Sequence, residues 1–335
     1  MAAYPSPPPP SALPALNFVT VISEARRIIN AHSRHFLALS VLFLLPVSFS
    51  FAVYPALTSP NSATDPNTAA QSFLRLHQSD TKTVSPVLLI YYTAFVFLFS
   101  LSATSSITHS TIQGFYGRPV RFLPAIKSIF TSFFTLCATA FCTQLIIAPI
   151  IAILGLLIFL AIRSVELVHR QVDYSSPYFL GFFALIVLVF WLIMLHLQVQ
   201  WALVNVTVVA ESVWGFQALK RSSYLVKGMK KIPLSLVLLS GLLLGTLITA
   251  NSVMSNFSSS SEWKTWAFVI QIVLVTSSIT IIMLLSLAAN VVLYMYCKAI
   301  HGELAMEIAQ EFARDYVSLP FDNGKVPHVV TVAYT

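Results

Sequence analysis

Residues Trp266–Cys297 read WAFVIQIVLVTSSITIIMLLSLAANVVLYMYC, without one Asp, Glu, Lys or Arg. A helix needs about 20 apolar residues to cross a hydrocarbon core ~30 Å thick. This stretch exceeds that length and reads as a membrane span. Working outward from it, five more uncharged apolar runs appear: Phe36–Leu57, Val87–Ile107, Ile129–Ile162, Tyr178–Val204 and Ile232–Met254. Tyr54, Tyr91, Tyr92, Tyr178, Trp201, Trp266, Tyr294 and Tyr296 lie near run ends, as in an interfacial aromatic belt.

Composition agrees. Charged residues make up 9% of the 335, hydrophobic residues 57%, and the mean hydropathy is +0.80. A soluble chain carries roughly 25% charged residues, so soluble enzymes, nucleic-acid-binding domains and secreted disulfide scaffolds are excluded. The expected fold class is all-α, a polytopic bundle of six transmembrane helices with interfacial amphipathic helices. Ile129–Ile162 is long for one span. It reads as one helix kinked at Pro149, or as a span plus a re-entrant piece.

The charge distribution orients the bundle. Of the 19 Lys and Arg, fourteen fall in residues 1–35, 108–128, 205–231 and the tail after Cys297, against five in the intervening loops. That asymmetry predicts both termini in the cytoplasm, in an endomembrane or the plasma membrane. Residues 1–16, rich in Pro, Ala and Ser, read as a flexible leader rather than a signal peptide. Residues 318–335 read as a disordered tail.

Between and beyond the spans, three segments carry helical amphipathic patterns. In residues 17–35, Phe18, Ile22, Ala25 and Ile29 draw an apolar stripe with Glu24, Arg26, Arg27 and Arg34 off it. In Val213–Lys231, Trp214, Ala218, Leu219, Leu225, Val226 and Met229 gather opposite Gln217, Lys220, Arg221, Lys227 and Lys231. This is the pattern of a basic helix lying on an anionic leaflet. The shorter string Gly114-Phe115 with Ala125-Ile126-Lys127-Ser128 resembles it and suggests an internal repeat. In residues 299–317, Glu303, Glu307, Glu311 and Asp315 form an acidic stripe at four-residue spacing beside Leu304, Ile308 and Phe312. Like charges at that spacing destabilise a lone helix by a few tenths of a kcal/mol per pair. Docking onto the cations at Arg26/Arg27 or Lys220/Lys227/Lys231 would relieve the repulsion.

The string Val208-Val209-Ala210-Glu211, Gly215, Ala218-Leu219-Lys220-Arg221-Ser222, Leu225-Val226-Lys227-Gly228 resembles a feature of a prokaryotic group of six-span proteins. That group includes the membrane domain of glycerophosphoryl diester phosphodiesterases. The amino end, with Ile28-Ile29, Phe36-Leu37 and Leu44-Leu45-Pro46, is similar to a plant family of uncharacterised multi-pass proteins. In the phosphodiesterases a separate soluble barrel carries catalysis, so the resemblance implies a scaffold and no activity. Some plant relatives bear names referring to poly(A)-binding-protein partners. Ala309-Gln310-Glu311-Phe312 matches the Ala-x-Glu-Phe core that such partners read, without the flanking Leu-Asn or the following Pro.

No residue set combines a nucleophile, a base and an orienting group, and Cys137, Cys142 and Cys297 lack metal-site spacing. No catalytic, cofactor-binding or metal-binding residue is therefore assigned. His196 is the one ionisable side chain expected inside a span, and with Gln200 it marks a possible polar path. Gln144, Asn251, Gln271 and Asn290 read as interhelical hydrogen-bonding groups. The expected function is a non-enzymatic organising or adaptor role, its cytoplasmic helices contacting anionic inner-leaflet lipid or protein partners. The expected contacts are Lys220, Arg221, Lys227, Lys231, Glu303, Glu307, Glu311 and Asp315. The alternative is a transporter or channel for a neutral or lipid-like solute; a lipid-modifying enzyme using His196 is a third.

Overall fold

A computed structural model describes residues 17–58, 86–169, 177–257 and 263–314, and among these every regular element is helical. Helix α1 spans Phe18–Ala31. Next come α2 (Ser33–Leu39), a π turn over Ser40–Leu44 and α3 (Leu45–Thr58), which run on as one rod. Pro46 accounts for the π turn. Its ring has no N–H to donate and presses on the carbonyl four residues back. A widened turn, in which the Leu45 N–H donates to the Ser40 carbonyl, absorbs the conflict.

The remaining helices are α4 (Pro86–Phe115), α5 (Phe122–His169), α6 (Pro177–Gln200), α7 (Val204–Glu211), α8 (Phe216–Val226), α9 (Lys231–Phe257), α10 (Trp263–Ile300) and α11 (Glu303–Arg314). Six helical stretches are long and apolar enough to cross a membrane: Ser33–Tyr54, Val87–Phe115, Phe122–Leu160, Gly181–Glu211, Lys231–Met254 and Trp266–Ile300. The molecule is an all-α polytopic bundle. Residues 1–16 and 318–335 lie outside the described residues.

Of the two readings of the third run, the structure has the single helix: α5 continues through Pro149 for 48 residues, about 72 Å at 1.5 Å per residue. Other boundaries differ from the sequence expectation. The first turns of α5 contain Ala125-Ile126-Lys127-Ser128, so the supposed second copy of the basic segment is the start of a span and no separate interfacial helix. Residues 205–231 are not one loop with one helix. They hold α7, a reversal at 212–215, α8, a turn at 227–230 and the first residue of α9.

Helix α10 is the axis, packing against α1, α3, α4 and α9. Helix α5 lies against α4, α7 and α8, while α6 touches α8 and α9 at the periphery. The tightest packing is at one end. There Ala288, Ala289, Val291, Val292, Leu293, Tyr294, Met295 and Cys297 of α10 are each 2% exposed or less. Val21, Ala25 and Ile28 of α1, Phe36, Ile107, Leu203, Leu225 and Val226 close around them. The buried stripe of α1 is thus turned slightly from the expected one, with Phe18, Ile22 and Ile29 half-buried at its flanks. At Gly114 a Cβ would stand 2.8 Å from Ile28 Cγ2, so α1 approaches α4 where only hydrogen fits.

Away from this end, α5 and α6 expose Ile153, Leu157, Leu185, Leu188 and Trp191, as surfaces solvated by lipid do. Side-chain hydrogen bonds pin the helices there. Asn251 Nδ2 donates to the Ala52 carbonyl at 2.7 Å, and Gln271 Nε2 donates to Asn251 Oδ1 at 3.0 Å. Thr280 Oγ1 donates to Ser48 Oγ at 2.9 Å.

Candidate functional site

The chain reverses between α7 and α8 by two left-handed residues, Ser212 at φ 54° and Gly215 at φ 65°. Glycine adopts that conformation without the steric cost of a Cβ. The Gly215 N–H donates to Thr139 Oγ1 of α5 at 3.0 Å, which ties the turn to a span. The reversal brings Glu211 and Arg221 face to face. Arg221 Nε donates to Glu211 Oε2 at 2.9 Å and Nη2 to Oε1 at 3.1 Å. The other edge of the guanidinium takes Glu303, with Nη1 donating to Oε1 at 2.9 Å and Nη2 to Oε2. From α10 the Tyr294 hydroxyl donates to Glu211 Oε1 at 2.8 Å.

One planar cation therefore joins α7, α8 and α11, and Tyr294 adds α10. This use suits Arg rather than Lys, because its fork of donors can serve two carboxylates at once. Hydrogen bonds that Arg221 donates to Glu303 and then to Glu211 push its pKa further upward, so the group stays charged. Hydrogen bonding from Arg221 holds the Glu303 carboxyl below its ordinary value, against a smaller upward pull from burial. Nearby, Lys298 Nζ donates to Glu307 Oε2 at 2.6 Å across the turn at Gly302.

Several expected contact residues are relocated. Lys220 and Lys227 are exposed on α8 and at its end, but Lys231 opens α9. Arg221 is not on a lipid-facing basic surface; it is half-buried between carboxylates, because a guanidinium with two acids in reach has no reason to remain in solvent. Glu303 and Glu307 do dock, though onto Arg221 and Lys298 instead of the expected partners. Glu311 lies on α11, while Asp315 falls outside the described residues. Trp214 does not join the buried face: it precedes α8 and is 61% exposed, and Phe216 is 58% exposed. Glu211 and Tyr294 were missed as site residues. The signal for Glu211 was its place ten residues before Arg221 with Gly215 between; Tyr294 resembled a belt residue and carried none.

The second feature begins in the last turns of α6. The Gln200 side-chain amide and His196 Nε2 are hydrogen-bonded at 2.8 Å. Ser222 Oγ of α8 donates to the Gln200 carbonyl at 2.8 Å, and Ser223 Oγ donates to Gln200 Oε1 at 3.4 Å. His196 and Gln200 are thus brought together, and a polar ladder runs from them to α8. Below His196 opens a cleft of about 340 Å³, walled by Ile150 of α5 and Val189, Leu192, Ile193 and Leu197 of α6. Its walls, among the described residues, carry no polar side chain beyond His196. Among the described residues, no group of three or more His, Cys, Asp or Glu could hold a metal ion.

No curated protein and no solved structure matches the chain significantly. A family profile does match, over residues 9–318. By that match the chain belongs to the family described as domain of unknown function DUF8558.

Proposed function

We propose that the protein is a non-enzymatic organiser of a cytoplasm-facing membrane surface, in an endomembrane or the plasma membrane, with both termini in the cytoplasm. Its packed end holds exposed cations against anionic inner-leaflet lipid and presents α8 and α11 to protein partners. The observation that supports this is the division of labour among its charges. Arg221, Glu211, Glu303 and Tyr294 bind one another and set the helices, whereas Lys220, Lys227, Lys230 and Lys231 are exposed beside them. Each such cation near an anionic leaflet contributes about 1 kcal/mol. The positive-inside asymmetry supports the orientation.

The test is reconstitution of the full chain in phosphatidylcholine vesicles holding a small share of fluorescent phosphatidylserine. Energy transfer from the protein's tryptophans reports lipid enrichment around it. Enrichment that falls with salt, and falls again when Lys220, Lys227, Lys230 and Lys231 are changed to Gln, is the expected result; enrichment indifferent to both overturns the lipid part. Affinity purification in mild detergent reads the partner part, which fails if no protein is retained. A second reading, passage of a neutral or lipid-like solute, is favoured by the open cleft under His196. It requires flux in proteoliposomes that collapses in His196→Leu or Gln200→Leu.

A further inference from the structure

The cleft between α5 and α6 is a weak binding site by apolar contact alone. In a bilayer an acyl chain inside it exchanges one hydrocarbon surface for another, so burial brings no hydrophobic gain. Selectivity must come from the polar groups at its upper end, and these form a graded series. His196 lines the cleft. Its Nε2 is bonded to the Gln200 amide, and Nδ1 has no partner among the described residues. A ring nitrogen at membrane depth without a partner is costly, so a partner is expected to come from the ligand.

Gln200 lies one turn further on and touches Ser223 of α8. Ser223 shares a face of that helix with Lys220 and Lys227, three residues after one and four before the other. Both lysines are exposed, while Arg221, on the other flank, is occupied by Glu211 and Glu303. From the bilayer outward the order is apolar walls, an imidazole, a hydroxyl, and two exposed cations.

We infer that this groove holds one anionic glycerophospholipid, an acyl chain in the cleft, its ester carbonyl accepting from His196 Nδ1–H and its headgroup phosphate between Lys220 and Lys227. The site deepens the proposed anionic-lipid contact, on which it rests, from a diffuse enrichment to a single resident molecule. A volume of about 340 Å³ falls within the roughly 300–1,000 Å³ of ligand pockets. The open side of the cleft lets a chain enter laterally without leaving the hydrocarbon layer. The order of groups along the site matches that of such a lipid: tail, ester, phosphate.

The experiment is native mass spectrometry of the full chain released from mixed phosphatidylcholine–phosphatidylserine vesicles, titrated with phosphatidylserine. One phosphatidylserine per chain is expected to persist where phosphatidylcholine is stripped. Lys220→Gln with Lys227→Gln should weaken retention roughly 30-fold, about fivefold for each cation. Leu192→Trp and Ile193→Trp, each filling the cleft, should abolish it, with monodisperse elution showing that the bundle is intact. Leu185→Trp, exposed on α6 outside the cleft, should leave retention unchanged. His196→Phe keeps the ring and removes the donor, and should lower retention without affecting elution.

Retention that survives both cleft-filling variants overturns the site, as does displacement by soluble glycerophosphoserine, which carries the headgroup and no tail. Equal retention of phosphatidylcholine overturns it too. The two levels separate cleanly. If tryptophan-reported enrichment persists and is lysine-dependent while no lipid is retained, only the resident site fails. If enrichment itself is absent, the surface contact fails with it.

Discussion

Arg221 shows why a residue's charge does not tell what it does. Its position in a basic stretch suggests lipid contact, yet four of its five N–H donors are committed to Glu211 and Glu303. Removing the cation leaves two carboxylates close together and Tyr294 bonded to one of them. Arg221→Met should therefore lower stability by about 1.5–3 kcal/mol, the range for hydrogen bonds to charged groups. Arg221→Lys should recover little, since an ammonium cannot fork between two carboxylates. Tyr294→Phe should cost about 1 kcal/mol. Thermal unfolding in detergent checks the order Met ≥ Lys > Phe, and a Lys variant as stable as the parent would refute the bridging role. Gly114→Ala belongs to the same scale. Its Cβ would meet Ile28 Cγ2 at 2.8 Å, and overpacking of this kind costs about 1–3 kcal/mol. Combining it with Ile28→Ala should recover part of the loss.

Among the elements, α11 has the most conditional attachment. Its first turn is held by Glu303 on Arg221, and Glu307 is held by Lys298. The Glu303 carboxyl titrates below its ordinary value of 4.5 because Arg221 bonds its charged form. A depressed pKa contributes stability that is complete above the ordinary value and disappears as pH falls through the folded one. Protection of the α11 amides, taken relative to the intrinsic exchange rate at each pH, should thus be high at neutral pH and fall in acid, below the ordinary carboxylate range. Glu303→Gln should lower protection at neutral pH and flatten its pH dependence. Unaltered protection in that variant would mean that Leu304 and its apolar neighbours hold α11 without the ion pair. Helix α1 differs, since Val21, Ala25 and Ile28 are buried in the core and, among the described residues, its Glu24–Arg27 ion pair stays within the helix. Its protection should hardly respond to pH over the same interval.

For the whole molecule, the consequence is an uneven bundle. One end is closely packed and charged, whereas the opposite half presents lipid-facing side chains held by a few hydrogen bonds such as Asn251 to Ala52. Asn251→Leu should loosen α3 from α9 there by about 0.6–2 kcal/mol, the range for interhelical hydrogen bonds in membranes. Cross-linking between those two helices would report it. Tags on the two ends should be reached by impermeant reagents from the same compartment, and carbonate washing should leave the chain in the membrane. Tags reached from opposite sides would remove the proposed orientation.

The number and character of the spans could be read from the sequence because hydrocarbon solvates each helix by itself: an uncharged run longer than about 20 residues declares its environment without knowledge of its neighbours. The amphipathic stripe of α1 and the existence of an acidic helix after Gly302 were legible for the same local reason, periodicity along one chain segment. What lay beyond reach depended on residues far apart meeting. Glu211, Arg221, Tyr294 and Glu303 are spread over 93 positions and form one cluster only because the reversal at Ser212 and Gly215 folds α8 back while α10 returns to the same end. That Pro149 sits within α5 without ending it could not be read from the sequence, where a single helix and a broken one fit the run equally well; the proline is exposed, and the helix continues past it. The polar ladder from His196 to Ser223 joins two helices through a carbonyl and an amide, and no spacing along the chain encodes such a contact. Local solvation is written residue by residue, whereas the partner of a buried charge is chosen by the fold.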